Sequence, residues 1–479
     1  MAVKHRYALS LFGVLLALVS IHTYTVRAEE GPGNSDAFVR RLLDAGLKKN
    51  YAYTLLTELA SRAPHRLSGS ADERKAIALT MRMMDSLGFQ EVHAESIMVP
   101  HWVRGQRETA AILLDGGRGE LPVAVCALGG SVATRRNGIT AEIVEVHSFE
   151  ELARMGEAAR GKIVFFNRPM DPTKLRTFEA YGGAVDQRSA GAVRAAEAGG
   201  IAALVRSVTL AHDRAPHTGA MGYKDGVAKI PAAAISTVDA DTLSSLLKRH
   251  PRLKLRMHLD CQTLPDAPSA NVVGQITGSE KPDEIIVVGG HLDCWDKGHG
   301  AHDDGSGCMQ AIEALRLLKE LGVNPKRTIR AVMFMNEENG VRGGKGYAAD
   351  QLRSRERHVA AVESDRGGFA PLGFFVQADS SVLAYVQRWQ PLFAQLGTGR
   401  IQKGSGGVDI APIVATGVPG FGLDVPDYRY FDYHHSDNDT VDKVHPRELE
   451  LGAIVEALLC YLIAEEGLPA HPSNATLER

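Results

Sequence analysis

A run over residues 285–307, IIVVGGHLDCWDKGHGAHDDGSG, gathers His291, Asp293, Asp296, His299, His302, Asp303 and Asp304 directly behind a β-branched stretch. Carboxylates this crowded repel one another unless a cation sits among them. Imidazole nitrogen with carboxylate oxygen is the borderline donor set that suits zinc. Three later pieces carry the same residue types: Asn336-Glu337-Glu338-Asn339-Gly340, Glu363-Ser364-Asp365, and His434-His435-Ser436 with Asp437 and Asp439 behind it. Taken singly each has a bland reading, the Glu337-Glu338 pair as a solvated turn and the two histidines as a loop pair. Taken together they describe a metal site assembled from separate parts of the chain.

The elements that would position these residues follow from periodicity. Residues 271–276, 284–288, 327–335, 358–364 and 420–423 are short apolar runs rich in β-branched residues, which predicts strands. Residues 306–321, 343–352, 382–396 and 446–465 have helical spacing. Strand and helix in alternation predict an α/β fold, a mostly parallel mixed sheet with helices on both faces. The acidic and imidazole clusters then fall at successive strand ends, the edge where open α/β sheets place their sites. Before the sheet, residues 35–61 read as helical, a capping box at Ser70 to Glu73 opens a further helix that Gly88 stops, and residues 92–99 read as a strand. Residues 121–265 have a different, β-rich texture without a ligand cluster; His212 and His217 lie there in a loop rich in Gly and Pro.

Bulk properties narrow the class. A chain of 479 residues exceeds one compact domain, and 44% apolar residues supply ordinary cores. A net charge of −3 offers nothing to displace counterions from phosphates, so nucleic acid is not an expected partner. The five cysteines are scattered without a CxxC pattern, which argues against a disulfide scaffold. Lys4 and Arg6 precede an apolar run over residues 7–21, and Val26-Arg27-Ala28 offers small residues before Glu29. That predicts a signal peptide over residues 1–28 and an exported protein, periplasmic or extracellular, without a stable membrane anchor.

The order and spelling of the motifs resemble a known family. HLD, GAHDDGSG, NEENG, ESD and HHS are similar to the motifs of the M28 zinc peptidases, enzymes with two co-catalytic metals. RLSGS at Arg66 to Ser70, Pro100-His101-Trp102 with Arg104-Gly105, PHTG at Pro216 to Gly219, and Phe431 through His435 point within that family to the carboxypeptidase Q branch, which acts chiefly on dipeptides. The resemblance implies a zinc-peptidase/phosphorylase-like catalytic domain over residues 29–120 and 266–479, with a β-rich protease-associated (PA) insert over 121–265 between them. It implies two zinc ions per subunit, His291 and Asp365 on one, Glu338 and His435 on the other, and Asp303 bridging, about 3.5–4 Å apart. It implies Glu337 as general base, Asp293 as the residue that fixes the His291 tautomer, and a cis Asp303–Asp304 peptide. His302 and the second histidine, His434, are then bystanders. Asp409 becomes a candidate for holding a free substrate amine, with a helix cap as the alternative. Tyr430 and Tyr433 are candidates for lining the cleft, with core packing as theirs. The implied activity is hydrolysis of dipeptides or very short unblocked peptides, by a chain that forms homodimers. The rivals are an aminopeptidase that trims longer peptides and a receptor-like binding protein without catalysis.

Overall fold

The computed structural model describes residues 32–114, 118–350, 353 and 355–469. The expected signal peptide lies outside the described residues. Among the described residues sixteen strands follow in chain order: β1 (Gln90–Val103), β2 (Glu108–Leu114), β3 (Gly119–Val123), β4 (Val125–Ala127), β5 (Ile139–Val146), β6 (Ile163–Phe166), β7 (Ala202–Arg206) and β8 (Ala232–Ile235). They continue as β9 (Lys254–Leu259), β10 (Gln262–Ile276), β11 (Lys281–His291), β12 (Arg327–Phe334), β13 (Arg357–Glu363), β14 (Gly373–Gln377), β15 (Arg400–Lys403) and β16 (Gly420–Asp424).

Two sheets of eight strands result. The first runs β1-β10-β12-β11-β13-β16-β14-β15. Its central strands β12, β11, β13 and β16 are mutually parallel, while β1, β10 and β14 make the antiparallel pairings. The mixed, mostly parallel character expected from the alternating pattern is therefore present. Strands β14 and β15, which the sequence reading did not anticipate, extend one edge. The central strands are buried on both faces, so they read as continuous apolar runs rather than alternating ones.

The helix Ser306–Glu320 shows why. Cys308, Met309, Ala311, Ile312, Ala314, Leu315, Leu317 and Leu318 are all buried, around the whole circumference. It packs on β11 and β12 and is covered by the helices Tyr51–Arg62 and Pro446–Glu466. A helix apolar all round belongs inside a large core. The N-terminal helical run expected over residues 35–61 is instead two helices, Pro32–Lys49 and Tyr51–Arg62, with Asn50 between them at φ 47°. Asparagine is among the few residues that enter the left-handed region readily, and a single such residue breaks the helix without disturbing its apolar spacing. The helix expected over 382–396 is likewise split, into Ser380–Gln387 and Gln390–Ala394.

The second sheet is ordered β3-β2-β9-β5-β6-β7-β8-β4. It begins at Glu108, earlier than the residue 121 expected, because β2 and β3 form a hairpin that pairs with β9. Its last strand ends at Leu259, and β10 from Gln262 already belongs to the first sheet. The two units are fastened by Arg104, 7% exposed, which donates to both Asp296 oxygens, to Glu108 Oε1 at 2.9 Å and to the Ala127 carbonyl at 2.6 Å. Beside it Trp295 meets Trp102 edge-on with centroids 6.3 Å apart. Trp295 also lies so close to Gly129 that a Cβ there would come within 1.7 Å of the indole, so only glycine permits this approach.

A candidate two-metal active site

Parallel pairing brings three strand ends level. His291 closes β11 opposite Phe334 of β12, and Gly289 of β11 lies opposite Glu363 of β13. Glu337 and Glu338 follow β12, and Asp365 follows β13. Asp303 and Asp304 sit in the turn that opens the helix Ser306–Glu320, joined by a cis peptide bond. His434 and His435 follow the short helix Tyr430–Tyr433. These residues, far apart in the chain, meet at one sheet edge.

Asp303 stands at the centre. Its Oδ1 lies 3.3 Å from His291 Nε2, which is 3.5 Å from Asp365 Oδ1. Its Oδ2 lies 3.2 Å from His435 Nε2, which is 3.0 Å from Glu338 Oε2. His291, Asp303 and Asp365 could hold an ion through atoms within 4.8 Å of one another, and Asp303, His434 and His435 form a second such group. His434 reaches Asp303 Oδ2 only at 3.8 Å, and its ring stacks on His435 with centroids 3.4 Å apart. Glu338 and His435 therefore make the closer pair on that side.

The donor set fits a metal. Ligand atoms about 2.1 Å from one tetrahedral ion sit about 3.4 Å from each other, which is the spacing of these contacts. Asp303 Oδ2 is buried without a hydrogen-bond partner. Burial pushes the His435 imidazole down, yet the Glu338 and Asp303 carboxylates outweigh it and carry the ring up to about 10. His291 is likewise held well above its ordinary value, against burial, by Asp303 and Asp365. Both histidines thus take up a positive charge that the carboxylates demand, the demand a cation would meet.

Orienting contacts fix each donor. His291 Nδ1 donates to the Asp293 backbone carbonyl at 3.0 Å, leaving the Nε2 lone pair toward Asp303 and Asp365. The expectation that the Asp293 side chain sets this tautomer is corrected here: its Oδ1 is 3.8 Å from His291 Nδ1. The Asp293 carboxylate instead accepts the amides of Asn336 at 2.7 Å, Glu337 at 3.0 Å and Glu338 at 3.4 Å, and the Ser68 hydroxyl at 3.2 Å. It clamps the turn that presents the two glutamates. The Trp295 backbone amide donates to Glu338 Oε1 at 3.2 Å, leaving Oε2 beside His435. Asp304 is no donor to the site. Its Oδ2 accepts His291 N at 3.1 Å and its Oδ1 accepts Gly307 N at 2.9 Å at the start of the following helix.

Two positioning residues had no role assigned from sequence. Asp439 accepts the amides of His302 at 2.7 Å and Asp303 at 3.1 Å, and so holds the backbone of the central carboxylate. Arg66, fully buried, donates to the carbonyls of Leu292, His299 and Gly300, each at 2.6 Å, and ties down the loop between His291 and Asp303. Both lay inside motifs visible in the sequence, but nothing in residue type reveals a partner that is a backbone group.

Other expected residues fall as follows. Glu337 is partly exposed and lies among the charges of His291, Asp365, Glu338 and Asp303. Burial raises its carboxyl well above the ordinary value; His291 pulls it down, and the charges of Asp365, Glu338 and Asp303 add to the rise. Tyr430 is 3% exposed, donates toward Asp365 Oδ1 at 3.4 Å and stacks on Phe178. Tyr433 is half-buried, stacked on His302, with its hydroxyl on Arg429. His302 is sandwiched between Tyr433 and Phe369, outside both donor groups. Asp409 is fully buried beside Glu363, with both oxygens unpartnered, and makes no helix cap.

Comparison with known proteins identifies the family. Residues 271–458 match the model of peptidase family M28. The chain is 37% identical over 426 residues to carboxypeptidase Q from Bos taurus, covering 88% of each, and the same figures hold for carboxypeptidase Q from Homo sapiens. A peptidase M28 precursor from Shewanella amazonensis superposes with a TM-score of 0.87 at 34% identity, covering 91% of this chain and 98% of that one. A zinc aminopeptidase from Bacillus subtilis shares the fold at a TM-score of 0.63 and 21% identity, covering 87% and 95%. Relatives this similar across nearly the whole length, and a donor cluster that demands a cation, lead to one conclusion: the chain belongs to the M28 peptidase family and is a zinc metallopeptidase.

Proposed function

We propose that the protein is an exported exopeptidase with two zinc ions that hydrolyses dipeptides or very short unblocked peptides. The observation that carries the two-ion reading is the divided Asp303 carboxylate, with Oδ1 3.3 Å from His291 and Oδ2 3.2 Å from His435. On this reading His291 and Asp365 hold one ion, Glu338 and His435 the other, and Asp303 both. Bound zinc supplies an acidified water and polarises the scissile carbonyl. Glu337 takes the water proton at its carboxylate and returns it to the leaving amine, a role suited to a carboxyl whose proton affinity the site raises. Asp293 keeps that carboxylate in place by holding the backbone amides of residues 336–338.

The dipeptide preference rests on the similarity to proteins named carboxypeptidase Q and on the inserted sheet, which we assign as a PA domain. Its Phe178 and Tyr181 pack against Tyr430, Phe431 and His434, which places a wall beside the donors and favours short substrates. Export is assigned from the basic and apolar N-terminal run.

The test is hydrolysis of one unblocked dipeptide beside its N-acetylated twin and a pentapeptide, with metal content measured on the same preparation. Cleavage of the free dipeptide alone, with two zincs per chain, is the expected result. Stepwise trimming of the pentapeptide at comparable rates would replace this reading with an aminopeptidase. A single zinc per fully active chain would remove the bridging role of Asp303.

A further inference from the structure

The inserted unit does more than flank the metal centre; it grips the chain at His434 and His435. Thr218 N donates to the His435 carbonyl at 2.9 Å, and His435 Nδ1 lies 3.3 Å from the Thr218 carbonyl. His217 Nδ1 donates to the His434 carbonyl at 2.7 Å, and its own amide is held by Ser207 Oγ at 2.9 Å. Arg188 Nη1 lies 3.4 Å from both His435 Nδ1 and the Thr218 carbonyl, while Nη2 donates to the Tyr181 hydroxyl at 2.6 Å. His435 itself sits at φ 64°, in the left-handed region that a non-glycine residue keeps only when its surroundings enforce it.

The hydrogen-bond chemistry selects one arrangement. A neutral imidazole that ligates through Nε2 must carry its proton on Nδ1. Nδ1–H can then donate to the Thr218 carbonyl, and Arg188 donates to that same carbonyl rather than to the ring. His217 has its Nε2 buried without a partner, which fits the tautomer that donates from Nδ1. The groups at His435 Nδ1 and at its carbonyl thus come from the insert, and those at Nε2, Asp303 and Glu338, come from the catalytic domain.

We propose that the insert is a working part of the metal centre: His217, the Thr218 backbone and Arg188 act as positioning residues that fix the His435 ring, so that affinity for the second ion is set from outside the catalytic domain. This rests on the assignment of His435 as a ligand. It predicts that loosening the grip weakens one ion selectively, and leaves the His291–Asp303–Asp365 group loaded.

The experiment measures zinc stoichiometry and affinity by chelator competition on full-length protein, with cobalt(II) spectra to report coordination geometry. His217→Ala and Arg188→Met are each expected to bind one ion as the parent does and the other about 10–100-fold more weakly. Excess zinc is expected to restore kcat with little change in KM. His217→Asn, whose amide nitrogen takes the place of Nδ1, is expected to recover most of the affinity. His212→Ala, an exposed insert histidine paired with Asp241, is the control and keeps both ions. Parent-like affinity for both ions in His217→Ala and Arg188→Met, alongside loss of one ion in His435→Ala, would overturn the grip while leaving the ligand assignment standing. Retention of both ions by His435→Ala would overturn the ligand assignment and the grip with it. Parallel weakening of both ions would also overturn the proposal, because it would mark a general loss of structure.

Discussion

At the scale of single residues, the site separates groups that would bind metal from groups that aim them. Glu337 is the clearest case of a residue whose loss leaves the donors in place, since the contacts that join His291, Asp303, Asp365, Glu338 and His435 do not run through it. Glu337→Gln is expected to fold and bind zinc as the parent does while kcat falls about 10²–10⁴-fold, measured by single-turnover hydrolysis beside metal analysis. Near-normal turnover would show that the proton goes elsewhere. Asp293→Ala makes a different prediction. Its carboxylate satisfies three buried amides and a hydroxyl, so removal strands donors that cost about 1–3 kcal/mol each when unpaired. The expected outcome is a lower unfolding midpoint together with impaired turnover. His291 keeps its tautomer, because the Asp293 carbonyl that fixes it is backbone. A stable protein with parent-like activity would mean the turn at residues 336–338 holds itself.

At the scale of elements, the donors were legible in the sequence and their supports were not. His291, Glu338 and Asp365 announced themselves by type and by position at the ends of apolar runs, because parallel strands in register must end at one edge, while Asp303 and His435 stood out by type and motif alone. The split at Asn50 and the strands β14 and β15 escaped, since a single left-handed residue or a short edge strand leaves little mark on periodicity. Arg66, Asp439 and Thr218 escaped for a stronger reason: their contacts involve main-chain groups that any sequence supplies. Arg66 shows what such a contact is worth. One guanidinium satisfies three carbonyls in the loop after β11, a fan of donors that an ammonium on a single-point stem cannot reproduce. Arg66→Lys is therefore expected to cost about 2–4 kcal/mol in denaturant unfolding, from one or two buried carbonyls left unpaired. Zinc affinity is expected to fall with it, because the loop leads from His291 to Asp303. An unchanged midpoint in Arg66→Lys would show that the loop is held by its other contacts.

At the scale of the whole molecule, the core carries a charge-bearing group far from the metal donors in the chain, Glu456. Glu456 lies in the helix Pro446–Glu466, fully buried, with both oxygens lacking a partner, and burial raises its carboxyl well above the ordinary value. The folded chain therefore holds this proton at pH values where the unfolded chain has released it. Stability from the protonated form is complete below the unfolded value, about 4.3 for a free glutamate. It is lost as pH rises toward the folded value, by about 1.4 kcal/mol per pH unit. Glu456→Gln keeps the shape and carries no such proton. Parent and variant are expected to unfold alike near pH 4.5, and the variant is expected to gain steadily above it until the pH reaches the raised folded-state value. The measurement is the difference between their denaturation midpoints across pH 4.5–8, which cancels every other titrating group, including those at the metal centre. A difference independent of pH would mean that Glu456 is ionised in the fold and has found a counter-charge. A growing one would show that the core tolerates a neutral acid, and that this protein would be more stable without it.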